Sequence, residues 1–468
     1  MIRYLPKQIC YHAIIVYLAA LAFVSLFYSN YAMKIGYIVL GIAFIVGFFL
    51  CTQNCTTNWS KWSEKRFLGN LFSMAVCLRL VWVIASYFYY IRATGQPFEF
   101  DTADAIGYHE EAKWLAGEGW AYTWDYYFGS GFKGFSDVGY PLYLSVVYGI
   151  FGPIVILPRI IKAVLSAYTC VLVYRLSSRT FGEDVARMAA IMTALMPNLI
   201  IYCGYHLKET EMLFLEVAFL ERMDYLMRSH KATPLRLLLP ISILMVLFLF
   251  RTVLGAAAAF AYLTSVLVSS APTMRKGWKR AALIGWGILC IVFFAGGRLV
   301  TEVESYWEGR AENVENKRND QSLQGNRWAQ YATGGVMAPM IVVLPFSTMV
   351  DVDQQYAQQT KHGGNYIRNF MGFFAFLAIY EAFRRKQWRD FSLIGAFVIA
   401  YLGVVSFSGF SNSERFLLPG LPCLIMMWAY GVSVLRKPTY RMLPYWCIVV
   451  FIMEFAWAFF KLGSRGLF

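Results

Sequence analysis

Long apolar runs alternate with short polar breaks along most of this chain. Most runs hold roughly 16–22 residues, the length of helix that crosses a bilayer's hydrocarbon. They are apolar on every side, whereas a helix on the surface of a soluble protein keeps a polar face. Runs near 11–28, 34–51, 70–92, 156–177, 184–203, 207–227, 236–250, 253–269, 280–298, 367–384, 390–408, 415–434 and 443–462 predict about thirteen spanning helices. Two further apolar stretches are too short to span. Residues 140–151 are bounded by Pro141 and Pro153, and residues 336–346 carry Pro339 and Pro345. Both are expected to lie in the interface or to re-enter it.

The polar breaks set an orientation. Lys and Arg cluster near 61–66, 175–179, 228–236, 275–280, 384–386 and 436–441. Placing these clusters in the cytoplasm puts the N-terminus inside and makes the run at 71–90 exit outward. The outer face then carries segments 93–137 and 299–366, a tight corner at 204–211, and residues 409–415. The run at 12–27 follows Arg3 and Lys7 as a signal peptide would, but a second run follows at 36–50, which reads as a retained first helix.

Composition agrees with an all-α polytopic membrane protein. The chain is 58% hydrophobic and 15% charged, where a soluble domain is about half apolar and about a quarter charged. The net charge of +14 is spread over short loops, so it reads as cytoplasmic anchoring and not as a nucleic-acid surface. The nine cysteines form neither a CxxC nor a Cys/His metal spacing, which leaves no disulfide framework or zinc site to propose. No GxxxxGK[ST] segment occurs, so a built-in ATP engine is not indicated.

Four places bring ionisable residues to the outer face. Asp101 and Asp104 share one face if their segment is helical, and Tyr108 follows one turn after Asp104. A carboxylate at that position can accept a proton from an attacking alcohol or amine. An interfacial helix with solvated acids would show the same spacing. The corner holds His206, Lys208, Glu209 and Glu211, with Glu216 and Glu221 further along. It reads either as the wall of a pocket or as an ion-pair cluster capping helices. Arg251 at a two-residue corner and Arg415 near the last runs stand against the inward bias of basic residues. A guanidinium binds phosphate through paired donors, although an Arg snorkelling at a helix end would sit in the same place. His109, His230 and His362 are isolated.

Taken together, these features resemble the GT-C superfamily of polytopic glycosyltransferases, in particular bacterial relatives of protein O-mannosyltransferases and aminoarabinose transferases. That family has an acid followed four residues later by Tyr in the first large outer loop, as in Asp104 to Tyr108. The similarity continues in the Pro-led aromatic stretch from Tyr140 and Pro141 to Phe151 and Gly152. It includes Arg159, Tyr174, Arg175, Phe181 and Gly182, the acid Glu209 at the second outer corner, and late Arg415 followed by Pro419 and Pro422. The resemblance covers roughly residues 70–435, flanked by a hairpin and cytoplasmic loop at 1–69 and a last helix at 436–468. Many relatives carry Glu directly after the key Asp. This chain has Ala105 there, so a metal or second-carboxylate role does not carry over to that position.

The resemblance implies an inverting glycosyltransferase in the cytoplasmic (inner) membrane, working in the cell envelope on the outer, periplasmic face. Its donor would be a sugar on a polyprenyl phosphate or diphosphate, and its acceptor a lipid, glycan or protein. The implied catalytic residues are Asp104 and Asp101, with Tyr108, His206, Lys208, Glu209, Arg251 and Arg415 binding substrate. No cofactor is expected; a divalent ion at Asp101 and Asp104 would have few oxygen ligands. Two other readings fit many helices with outer-face Arg: an envelope polysaccharide polymerase or ligase relying on the 299–366 segment, and a non-enzymatic lipid or solute transporter.

Overall fold

In the computed structural model, residues 2–100, 103–129, 137–229, 234–268, 285, 345–352, 355–407 and 414–467 are described. Their regular elements are helices, and the one β-bridge among them joins Ala32 to Val350. The helices are α1 (Lys7–Phe27), α2 (Ile35–Asn58), α3 (Glu64–Thr94), α4 (Ala103–Glu118), α5 (Trp120–Phe128), α6 (Gly139–Phe151), α7 (Ile156–Phe181), α8 (Glu183–Leu195), α9 (Pro197–Ile201), α10 (Glu209–Arg228), α11 (Pro234–Phe250), α12 (Thr252–Val268), α13 (Tyr356–Arg384), α14 (Ser392–Phe407), α15 (Glu414–Leu417), α16 (Leu421–Ser433) and α17 (Leu443–Gly463).

Among the described residues five helices are long and apolar enough to cross a membrane, or six if the bent pair α8–α9 counts as one span. The expected thirteen are therefore not all present as uniform spans. The difference has specific causes. The run at 184–203 is broken by Pro197, which bends the chain by 51° between α8 and α9. Proline has no N–H to offer the carbonyl four residues back. Arg79 of α3 takes over, donating to the Thr193 carbonyl at 3.3 Å and to the Ala194 carbonyl at 3.0 Å. The run at 207–227 becomes α10, which buries Glu209, Glu211, Glu216, Glu221 and Asp224 and is not among the apolar spans. The run at 415–434 splits into α15 and α16 around Pro419. The run at 367–384 extends toward the N-terminus to Tyr356. Apart from residue 285, the run at 280–298 lies outside the described residues, as does the 336–344 stretch.

The helix ends explain how the chain turns toward one end of the bundle. α3 has 31 residues, about 46 Å at a rise of 1.5 Å per residue, which exceeds the hydrocarbon thickness. It stops at Gly95, whose φ of 76° lies in the left-handed region and whose N–H caps the Ile91 carbonyl at 3.0 Å. The short helix α6, with 13 residues, stops at Gly152 with φ 82°. Along the middle, α13 is buried over most of its length and packs on α2, α9, α16 and α17.

Candidate active site

The acid of the first loop sits in the first turn of α4, where a helix favours negative charge. Asp104 is half-exposed, and its Oδ2 accepts a hydrogen bond from Nη1 of Arg415. One turn later, the Tyr108 ring meets Tyr140 edge-on at 5.2 Å. Burial pushes the Tyr108 phenol up, to about 12, so it remains a hydroxyl at neutral pH.

The corner before α10 supplies Lys208 and Glu209. Glu209 is fully buried; its Oε1 accepts from Nε of Arg415, and its Oε2 has no partner. Burial works against that charge, but Arg415, Arg251 and Lys208 outweigh it and hold the carboxyl below its usual range. The Lys208 ammonium pairs with Asp137 and lies 5.7 Å from the centre of the Tyr108 ring.

Arg251 stands at the turn between α11 and α12. Its N–H closes the last turn of α11 on the Leu247 carbonyl at 2.9 Å, and its own carbonyl accepts the first N–H groups of α12 from Leu254 and Gly255. The guanidinium lies 4.3 Å from the Phe416 ring centre, reaches the Tyr401 hydroxyl, and keeps Nη1 without a partner. Thus Asp104, Tyr108, Lys208, Glu209, Arg251 and Arg415, from four distant parts of the sequence, converge on one site.

The outcome differs for His206 and Asp101. Asp101 lies outside the described residues. His206 is fully buried and forms part of the wall behind the site. Its Nε2 meets the Tyr148 hydroxyl at 3.2 Å, and the rings of Phe98, Tyr140 and His109 surround it. The sequence reading groups it with the substrate-binding residues; the structure places it in this aromatic cluster. The whole corner 204–211 is buried.

That burial rests on residues the sequence reasoning missed. Lys162 of α7 donates to the carbonyls of Tyr205 and Leu207 and lies 3.7 Å from Glu211. Glu99 accepts the His206 N–H at 3.0 Å and faces Arg159 at 3.6 Å. The signal for Lys162 was available, since an ionisable group inside an apolar run needs a partner. Nothing in the sequence pattern marked Asp137 or Phe416.

An apolar groove of about 570 Å³ lies between α2, α3 and the start of α13. Tyr37, Leu40, Trp82, Ala85, Tyr90 and Phe100 line it. At its rim the Lys34 ammonium lies 4.6 Å from the Tyr356 ring centre. The Asp104 cluster does not line the groove, but Phe100 precedes Asp104 by one helical turn's length of chain. Another lining residue, Thr360, adjoins Lys361. Among the described residues no group of three or more His, Cys, Asp and Glu is arranged to hold a metal ion.

No known protein family matches the sequence, and no curated protein matches it. Among solved structures, the chain is similar to ArnT from Cupriavidus metallidurans bound to undecaprenyl phosphate. That similarity has 17% identity and a TM-score of 0.45, over 73% of this chain and 58% of that one. It is also similar to the Archaeoglobus fulgidus oligosaccharyltransferase in complex with Zn and sulfate, at 12% identity and a TM-score of 0.35, over 76% of this chain and 52% of that one. The chain thus spans less than two thirds of the length of each.

Proposed function

We propose that this chain is a GT-C-type inverting glycosyltransferase. It moves a sugar from a polyprenyl-phosphate-linked donor to a hydroxyl or amine at the outer face of the cytoplasmic membrane. The observation that carries this reading is the Arg415 guanidinium shared between Asp104 and Glu209, with Arg251 and Lys208 beside it. Arg415 takes Oδ2 of the half-exposed Asp104, and Oδ1 faces the acceptor. The acceptor O–H or N–H gives its proton to that oxygen as the acceptor atom bonds to the anomeric carbon. The bond from that carbon to the phosphate oxygen breaks, and its electron pair leaves with the lipid phosphate. One displacement inverts the anomeric centre.

The departing phosphate needs positive charge already in place. Arg251 suits this best, because its Nη1 has no hydrogen-bond partner among the described residues. Lys208 stands near Arg251 and Arg415, 5.7 Å from the Tyr108 ring centre, and Glu209 keeps Arg415 in place. The test is a transfer assay on the purified full chain with a sugar-linked polyprenyl phosphate, following the product's anomeric configuration. Retention of configuration, or no transfer at all, would reject the reading. A metal requirement is not expected, because the Arg415 fork lies where a divalent ion would join Asp104 to Glu209. Transfer is therefore expected to persist in excess EDTA, measured by the same assay.

The groove supports a lipid-borne donor, since apolar and aromatic walls favour a hydrocarbon chain. Ala85 is exposed to it. Ala85→Trp is expected to raise KM for a long-chain donor about 10- to 100-fold while kcat holds, the pattern of lost uniform binding. A short-chain donor analogue should be unaffected. Equal effects on both donors would remove the groove from the scheme.

A further inference from the structure

Glu414 and Arg415 are neighbours on α15, a helix of four residues. Successive helical side chains diverge by about 100°, so the two face different walls. Arg415 faces α4 and α10 through Asp104 and Glu209. Glu414 faces α9 and α13. Its Oε1 accepts from Asn198 Nδ2; its Oε2 accepts from the Tyr202 hydroxyl at 3.4 Å and pairs with Lys361 Nζ at 3.1 Å. Asn198 is itself fixed, donating to Asn365 Oδ1 at 3.1 Å. A single turn has too few internal hydrogen bonds to hold its own place, so side-chain anchors must do so. Glu414 is nine-tenths buried among these partners.

Resting on the functional reading above, we infer that Glu414 is a positioning residue: its clamp on Lys361, Asn198 and Tyr202 sets where Arg415 meets Asp104 and Glu209. The bend at Pro197 has a functional consequence on this view, because it turns Asn198 and Tyr202 toward α15. Glu414 touches neither donor nor acceptor and acts only through its neighbour.

The experiment uses the purified full chain and two readouts. In the transfer assay, Glu414→Gln is expected to lower kcat about 10- to 100-fold, the cost of a displacement on the order of 1 Å at the reacting groups. KM for donor and acceptor should change by no more than about twofold. In an Arg415→Lys background the same substitution should cost almost nothing further, because its route of action is already lost. Glu414→Asp, which keeps the charge, should recover part of the activity. The second readout is hydrogen exchange over residues 414–420, expected to be at least about tenfold faster in Glu414→Gln while α4 and α10 keep their rates. Unchanged kcat, an equal loss in the Arg415→Lys background, or unchanged exchange each overturns the inference. A wild-type chain that transfers no sugar overturns the functional reading alone, and the exchange measurement then decides the role of Glu414 by itself.

Discussion

Asp104→Asn is expected to lower the transfer rate by about three orders of magnitude while leaving the fold intact. A positioned general base contributes about 10²- to 10⁴-fold, and asparagine is nearly the same size but accepts no proton at neutral pH. The side chain is 55% exposed, so loss of its ion pair with Arg415 should cost no more than about 1 kcal/mol of stability. The amide oxygen can still accept from the guanidinium. Arg415 also keeps its second carboxylate, the buried Glu209, so the cation should remain in place. Rate and stability are therefore separable in this variant. Asp104→Glu retains a base on a longer arm and should keep a small fraction of the rate, since misplacement by about 1 Å costs on the order of 10²-fold. The check pairs single-turnover transfer with thermal unfolding of the same preparations. A well-folded Asp104→Asn chain with more than a tenth of wild-type activity would remove Asp104 from the chemistry.

The site was legible in the sequence to the extent that membrane chemistry restricts where charges occur. Asp104, Lys208, Glu209, Arg251 and Arg415 each sit in a break between apolar runs or in the first residues of the run that follows one, and such breaks cluster at the ends of a helical bundle. Their convergence followed from topology without knowledge of any contact. The pairings were not legible. Arg415, read as a candidate for a phosphate, is engaged by Asp104 and Glu209, and Arg251 keeps an unpaired nitrogen. Opposite charges at one site pair with each other before any ligand arrives, and no spacing rule says which will do so. The burial of His206 was not legible either, because a polar residue in a corner reads as accessible. Here Lys162 and Glu99 satisfy the corner's backbone and allow it to be buried.

The fold showed the same division. Apolar length identified α1, α2, α3 and α7 well, because a uniform run has one physical use. It failed where a run contained its own interruption. Pro197 was visible, but its 51° bend depends on Arg79 taking the orphaned carbonyl of Thr193, a contact from another helix. The five acids of α10 were visible as well. They belong in a buried helix only because partners reach them from elsewhere, such as Lys162 at Glu211 and Arg179 at Glu221 and Asp224.

Arg415→Ala is expected to damage both stability and activity, and the two losses can be pulled apart. Removing the guanidinium leaves Glu209 ionised, fully buried and short of its closest cation. Breaking a buried pair in this way costs about 3–5 kcal/mol, and the value should fall toward the lower end because Arg251 and Lys208 still act on Glu209. Asp104 also loses the group that orients it, so transfer should fall about 10²- to 10³-fold. Arg415→Lys keeps the charge but cannot fork between two carboxylates. It should stay close to wild type in stability while losing most of its rate. The double change Arg415→Ala with Glu209→Gln removes the orphaned charge together with its partner. Unfolding midpoints should then recover most of the single variant's loss, whereas transfer should not recover at all. Recovery of both would mean that Arg415 serves only to neutralise Glu209. Recovery of neither would mean that the cost lies in packing around Phe416, whose ring centre lies 5.8 Å from the Arg415 guanidinium and 4.3 Å from that of Arg251, and not in the buried carboxylate.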